Sequence, residues 1–275
     1  MSRKECHVHL VSDATGETNT TLARACLAQF PDVEPNEHIW TLVRTQGQID
    51  RVLSSVAVNP GVVLFTIANP THRQSLIAGC RDIDVPCLSI LDPLLGIFAN
   101  YLGLESSGQP GGQHALTQTY FERIAAMEYT LTHDDGQSTQ DLNAADVVLV
   151  GVSRTSKTPT CLYLANRGLK SANIPMVPNV PLPPELFTAT SPLIVGLTTD
   201  VEHLVQVRRN RLRLIADGSE TDYVDTATVR DEVNKARRLF TEQGWPVINV
   251  SRRSIEETAA TVLQYFQERK ESVQS

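Results

Sequence analysis

The sequence predicts an α/β fold made of two parallel-sheet domains, and three observations carry that prediction. Short apolar runs alternate with longer helix-patterned segments along most of the 275 residues. One cluster of Gly, Pro and Ser, Ser106-Ser107-Gly108-Gln109-Pro110-Gly111-Gly112-Gln113, interrupts the alternation. Beyond it, Asp146-Val147-Val148-Leu149-Val150 runs into a polar loop and a new helical pattern, so the alternation restarts. These signals place an N-terminal α/β domain at 1–105, a linker and connecting helix at 106–142, and a second α/β domain at 143–275.

In the first domain, strands are expected at His7 to Ser12, His38 to Val43, Val62 to Ile67 and Pro86 to Leu91. Helices are expected at Glu17 to Phe30, Gln46 to Val56, Thr71 to Arg81 and Leu94 to Leu102. After the linker, Leu116, Tyr120, Ile124 and Met127 recur at helical spacing, which predicts a helix from Leu116 to about Tyr129 with those four facing inward. The turn His133-Asp134-Asp135-Gly136 then closes it. In the second domain, strands are expected at Asp146 to Val150, Ile174 to Val177, Leu193 to Leu197 and Val247 to Val250. Their helices are expected at Thr158 to Arg167, Val201 to Ile215, Thr226 to Gln243 and Ser254 to Glu268, the last opened by a Ser254/Glu257 capping box.

Composition limits the function classes. With 41% hydrophobic and 20% charged residues, the balance is that of a soluble globular chain. A net charge of −7 argues against a general nucleic-acid binder. No apolar run is long enough to span a bilayer, and the N-terminal residues have no signal-peptide pattern, so a cytoplasmic protein without a membrane partner is expected. Five cysteines, an odd number without a Cys-x-x-Cys pair, read as reduced and mostly buried thiols.

The segment Gly151-Val152-Ser153-Arg154-Thr155-Ser156-Lys157-Thr158-Pro159-Thr160 reads as a phosphate-binding loop. Successive backbone N–H groups and a helix N-terminus make a concave anion site, a Lys adds a point charge, and a Thr hydroxyl can hold Mg²⁺. Pro159 suits a first helical turn and Gly168 suits the residue just beyond a helix end. Ser156 departs from the usual pattern, which has Gly before the Lys. The bland alternative is a core strand followed by a hydroxyl-rich turn.

Three other constellations can carry chemistry. Ser12-Asp13-Ala14-Thr15-Gly16-Glu17-Thr18 falls where the first strand turns into the first helix, so Asp13 can meet a ligand or a substrate hydroxyl, or Thr15 can simply cap the helix. Arg208-Arg209-Asn210-Arg211-Leu212-Arg213 offers guanidinium forks to phosphate oxygens, or a solvated helix face. His114 and the Asp134-Asp135 pair can bind Mg²⁺ or supply a general base, or form an ordinary turn.

Together, the Gly151 to Thr160 loop with Tyr163-Leu-Ala-Asn-Arg-Gly168, the Ser12 to Thr18 turn, the stretch His114…Tyr120-Phe-Glu-Arg-Ile124…His133-Asp-Asp-Gly136, and Trp245-Pro-Val-Ile-Asn-Val250…Arg253-Ser-Ile-Glu-Glu-Thr258 resemble one family nearly end to end. It is the family of regulatory proteins of pyruvate, phosphate dikinase and of phosphoenolpyruvate synthase. The resemblance implies a P-loop kinase-like C-terminal domain, and a serine/threonine kinase that takes its phosphate from ADP. It also implies a phosphorylase that removes the same phosphate with inorganic phosphate and releases pyrophosphate. The implied partner is the dikinase, modified at a Thr beside its catalytic His, and the implied assembly is a homodimer. The nucleotide-binding residues carried over are Gly151, Val152, Ser153, Arg154, Thr155, Ser156, Lys157 and Thr158, so Ser156 becomes a family trait. The catalytic set expected here is Lys157, Arg154 and Asp13, with Asp135 as the second candidate base and Thr158 as the Mg²⁺ ligand. The opening His7-Val-His-Leu-Val-Ser-Asp13 looks more like the dikinase branch than the synthase branch. Two other readings use the same residues, a small-molecule P-loop kinase and a nucleotide sensor without catalysis.

Overall fold

The computed structural model describes residues 3–106, 118–215 and 222–274, and the chain divides into two compact units, Met1–Ala115 and Leu116–Ser275. Most of the expected linker, together with His114 and Leu116, lies outside the described residues.

The first unit alternates strand and helix: β1 (Lys4–Ser12), α1 (Glu17–Leu27), β2 (Val33–Trp40), α2 (Gln46–Val58), β3 (Gly61–Thr66), α3 (Pro70–Asp82), β4 (Cys87–Ser89) and α4 (Asp92–Leu102). All four strands are parallel, in the order β2-β1-β3-β4. The pleat sends neighbouring β1 residues to opposite faces: Val8 and Leu10 pack with Ala23 of α1, while Val11 joins Ile49, Val52, Leu76 and Cys80 of α2 and α3.

Two expectations are corrected here. Strand β2 lies at Val33–Trp40 rather than His38 to Val43, because Leu42 takes a left-handed φ of 55° and the chain bends back, Leu42 N–H donating to Ala14 O and Val43 N–H to Ser12 O. Pro35 obscured the strand in the sequence, yet β2 is an edge strand, where a missing N–H is tolerated. Helix α1 is capped by Gly16, at φ 79°, and not by Thr15.

The second unit opens with α5 (Gln118–Thr132) and single-turn helices at Asp134–Gly136 and Thr139–Ala144. It continues through β5 (Val147–Val152), α6 (Lys157–Asn166), β6 (Ser171–Met176), α7 (Glu185–Thr188) and β7 (Leu193–Thr198). After α8 (Val201–Ile215) and a turn at Asp222–Val224 come α9 (Thr226–Glu242), β8 (Val247–Asn249) and α10 (Ile255–Gln274). The sheet is again parallel throughout, ordered β6-β5-β7-β8.

Strand β5 is buried along its whole length. Val148, Val150 and Val152 face Val229, Val233, Ala236 and Phe240 of α9, while Val147 and Leu149 face Cys161 and Leu164 of α6 and Val262 of α10. Each such side chain contributes about 1.5–3 kcal/mol by leaving water, so the strand that carries the loop is firmly anchored. The capping box of α10 is present: Ser254 N–H donates to Glu257 Oε2 at 2.8 Å and Glu257 N–H to Ser254 Oγ at 3.1 Å.

Helix α5 does not present the expected face. Ile124 is exposed, and Ala126 and Thr130 are the buried positions, with Thr130 Oγ1 accepting the Ser171 N–H at 3.0 Å. Small residues let α5 approach β6 closely, which apolar periodicity alone does not reveal. The cysteines are all free thiols, but only Cys80 and Cys161 are buried, and Cys26 is exposed.

Candidate active site

The loop between β5 and α6 is shaped by backbone constraints at both ends. At Gly151 the neighbouring strand β7 comes so close that an added Cβ would lie 2.5 Å from Leu197 O. Only Gly fits there. Arg154 and Ser156 take left-handed φ values of 72° and 58°, and Ser156 caps α6 through its backbone, without a side-chain hydrogen bond. The buried Thr155 ties the loop to the strand, its Oγ1 donating to Val152 O at 2.9 Å. Helix α6 begins at Lys157 with Pro159 in its first turn, and Gly168 follows its end at φ 86°. Among the described residues, the N–H groups of Arg154 through Thr158 have no hydrogen-bond acceptor. They form the unsatisfied N-terminal donors on which an anion site depends.

Lys157 is buried at 5% exposure, and its Nζ donates to Gly151 O at 2.9 Å and Val152 O at 3.0 Å. Burial pushes its pKa down to about 8, against the opposing pull of Asp135, Cys161 and Asp134 and with a further push from Arg154. An ammonium held in this way gains a partner when an anion arrives.

The fold also brings the His133-Asp134-Asp135-Gly136 motif to the loop. Thr158 Oγ1 donates to Asp134 Oδ1 at 3.0 Å. The amide of Asn173, in the middle of β6, lies against the same group, its Nδ2 2.6 Å from Asp134 Oδ1, 2.9 Å from Thr158 Oγ1 and 3.2 Å from Asp135 Oδ1. His133 serves as an anchor. It is buried, stacks on Tyr129 at 3.7 Å between centroids, pairs with Asp141 Oδ1 at 2.7 Å, and accepts the Asn173 N–H on its carbonyl. Asp134 is half-buried, whereas Asp135 is exposed.

A cationic wall flanks the other side. Arg208, 1% exposed, forks onto Glu232 at 2.7 and 3.2 Å, lies 4.4 Å over the Tyr223 ring, and reaches Ser153 O at 3.4 Å. Tyr223 Oη in turn lies 3.4 Å from both Ser153 Oγ and Arg154 Nε. Of the arginine run, then, Arg208 is built into the loop's support, while Arg209, Arg211 and Arg213 remain on the exposed face.

Asp13 lies in the first unit at the end of β1, largely buried, with Oδ2 accepting the Ala68 N–H at 2.6 Å. Sequence reasoning missed Asn173 and Tyr223. A polar amide inside the apolar run Ala172-Asn173-Ile174 was a readable signal; Tyr223 had none.

A family model described as kinase/pyrophosphorylase matches residues 8–263, nearly the whole chain. The chain belongs to the kinase/pyrophosphorylase family. Its relatives in that family include a protein of Caulobacter vibrioides, 55% identical over 94% of this chain and 82% of its own length. Another, from Paramagnetospirillum magneticum, is 54% identical over 96% of this chain and 85% of its own. A third, from Rhodopseudomonas palustris, is 51% identical over 96% and 95%. All three carry the provisional name pyruvate, phosphate dikinase regulatory protein. Among the described residues no helix is long and apolar enough to cross a membrane.

Proposed function

We propose that this chain regulates pyruvate, phosphate dikinase by transferring the β-phosphoryl group of ADP to a Thr hydroxyl of that enzyme, and by removing it again with inorganic phosphate. The observation that carries the reading is the loop itself: free N–H groups from Arg154 to Thr158, a buried Lys157, and Thr158 set against Asp134. Phosphoryl transfer consists mostly of positioning and charge neutralisation. The loop amides, Lys157 and Arg154 would grip the diphosphate while the Thr oxygen attacks the β-phosphorus and AMP leaves. In the reverse regulation, phosphate in the position of the α-phosphate attacks the phosphothreonine phosphorus, the P–O bond to Thr breaks, and pyrophosphate departs from the same cradle. Mg²⁺ held by Thr158 would neutralise charge on the phosphate oxygens.

For the general base, Asp135 moves ahead of Asp13, because it is exposed and adjoins Asn173, whereas the Asp13 carboxylate is largely buried and bonded to Ala68. The same chemistry on phosphoenolpyruvate synthase is the second reading, favoured only by the shared resemblance. A homodimer and a cytoplasmic setting complete the proposal.

The test is to incubate the chain with purified dikinase and ADP or ATP, follow the dikinase by intact mass, then add phosphate. Phosphorylation with ADP, reversed by phosphate with release of pyrophosphate, is the expected result. Nucleotide binding without a mass change would leave only a sensor, and transfer to a metabolite only a small-molecule kinase. If Lys157→Ala abolished phosphorylation but spared phosphate-dependent removal, the single shared pocket would be wrong.

A further inference from the structure

We propose that His7, His9 and His38 form a proton-operated latch in the first unit: uncharged, they hold the edge strand β2 against β1, and at acid pH they release it. The inference goes beyond the phosphoryl-transfer reading and does not rest on it. The parallel register sets His38 of β2 directly across from His9 of β1, and the pleat puts His7 on the same face. The three rings touch. His7 Nδ1 lies 3.0 Å from His38 Nε2, and His9 stacks on His38 with centroids 4.4 Å apart and planes 10° from parallel. Among the described residues no three His, Cys, Asp or Glu side chains converge to hold a metal ion, so the ligand this cluster takes is the proton.

Counting hydrogens shows how few protons it tolerates. His9 is fully buried, and its Nε2 lies 2.9 Å from Asn59 O; a carbonyl only accepts, so Nε2 carries the hydrogen and Nδ1 is a lone pair. That Nδ1 has no partner among the described residues, so a proton added there would be a buried donor without an acceptor. Between His7 and His38 one nitrogen donates and the other accepts, so their bond survives one added proton and not two. Burial pushes the His9 pKa below its ordinary 6.5, with His38 and His7 adding to the push against the pull of the Asn59 carbonyl. Below that value the unfolded chain binds more protons than the folded one, so stability falls as the pH falls through it.

No carboxylate offsets the charge. Among the described residues none of the three rings has an ion pair. On the same face the nearest acids along the strands are Glu5 and Glu34, paired at the exposed strand starts, while Glu37 is turned to the other face and held by Arg24 at 2.8 Å. Strand β3 sets Gly61 and Val63 beside His7 and His9. Helices α2 and α3 turn apolar side chains to this face, and their Asp50 and Arg73 are bonded to Gln46 and Asp92. Strand β2 is the part that gives way, because it pairs with β1 alone and has no fully buried side chain. Its exit is tied to the β1 turn by Leu42 N–H to Ala14 O, Val43 N–H to Ser12 O and Arg44 Nε to Asp13 O, so its release frees the turn at 12–16 as well.

Trp40 of β2 and Trp245 are the chain's two tryptophans, so Trp245→Phe leaves the emission of β2 alone. Trp40 emission and far-UV circular dichroism of the full chain are followed from about pH 8 to about pH 5, on either side of the histidine range. Trp40 should become accessible to acrylamide before the helical signal falls, its opening equilibrium changing up to about 100-fold per pH unit, the slope of two linked protons. His9→Gln keeps an N–H for Asn59 O, and His38→Gln keeps an acceptor for His7. Each should flatten the slope to about tenfold per pH unit, the value for one proton. A two-proton slope that persists in both variants overturns the latch, as does a Trp40 that stays protected until the helical signal is lost. Nitrogen-15 spectra of the wild-type rings decide the matter without any variant. At about pH 6 folded His9 should be neutral with its hydrogen on Nε2, and a folded His9 carrying both hydrogens overturns the proposal.

Discussion

Strands β1 and β5 hold the same second position in sheets of the same order, β2-β1-β3-β4 and β6-β5-β7-β8, and each passes its chain into a helix. After β1 the turn buries a carboxylate that is bonded to the backbone. Asp13 N–H donates to Thr66 O, Ala14 N–H to Ser12 Oγ, and the Asp13 carboxylate accepts from Ala68. After β5 the loop, whose N–H groups from Arg154 to Thr158 have no acceptor among the described residues, buries an ammonium instead. A strand's carboxyl end is where α/β sheets bind ligands, yet topology supplies only the place. What separates the two turns is the sign of the charge each buries, a carboxylate after β1 and an ammonium after β5.

The largest expected effect on that contrast is Lys157→Ala. Losing a preorganised cation at developing phosphate charge should cut phosphorylation and phosphate-dependent removal by about 10²–10³-fold, measured on intact dikinase. Asp13→Asn should leave ADP affinity, read by calorimetry, at the wild-type level. If Asp13→Asn proved as costly as Lys157→Ala, the first turn would be chemistry after all.

Next comes the backbone. Gly151→Ala drives a Cβ to 2.5 Å from Leu197 O and should cost about 2–3 kcal/mol in urea unfolding. Gly16→Ala meets nothing closer than 3.5 Å and should cost only about 1 kcal/mol, for its left-handed φ. Equal losses would show that close strand approach is not what Gly151 serves.

The Lys157 ammonium gives a pH signature of its own. Its folded pKa, about 8, lies below the 10.5 of a free lysine. Between those values the unfolded chain holds a proton that the folded chain has released, so stability rises with pH across that window. The full gain is on the order of 3 kcal/mol, and Lys157→Met should remove it from denaturation curves taken at pH 7.5 and 9.5. Anion binding has the opposite sense: pyrophosphate affinity should fall as pH rises through about 8, because the neutral amine no longer attracts it. The smallest effect is Ser156→Gly, which relieves a left-handed φ but loosens the unfolded chain, for a net change within about 0.5 kcal/mol in thermal unfolding.

The elements that the sequence disclosed were those with local causes. The Val147 to Val150 run, the helix at Val201–Ile215, the Ser254 capping box and Gly168 beyond α6 all depend on residues within a few positions of one another. Strand β2 was misplaced because its end depends on Leu42 and Val43 bonding back to the β1 turn, some 30 residues earlier. The inward face of α5 was misread for a similar reason. Close packing on β6 favours Ala126 and Thr130, and a hydropathy pattern sees only the larger apolar residues.

The sequence by itself determined two parallel α/β sheets and a polar strand-to-helix loop in the second, because backbone propensity, apolar period and turn chemistry are short-range properties of the chain. Only the tertiary structure decided what surrounds that loop. Asp134 meets Thr158 across 24 residues, Asn173 meets both, and Arg208 reaches back to Ser153 across 55. Those meetings depend on which strands lie side by side and how closely α5 and α8 pack on them, and no local pattern encodes a distance between two points that far apart along the chain.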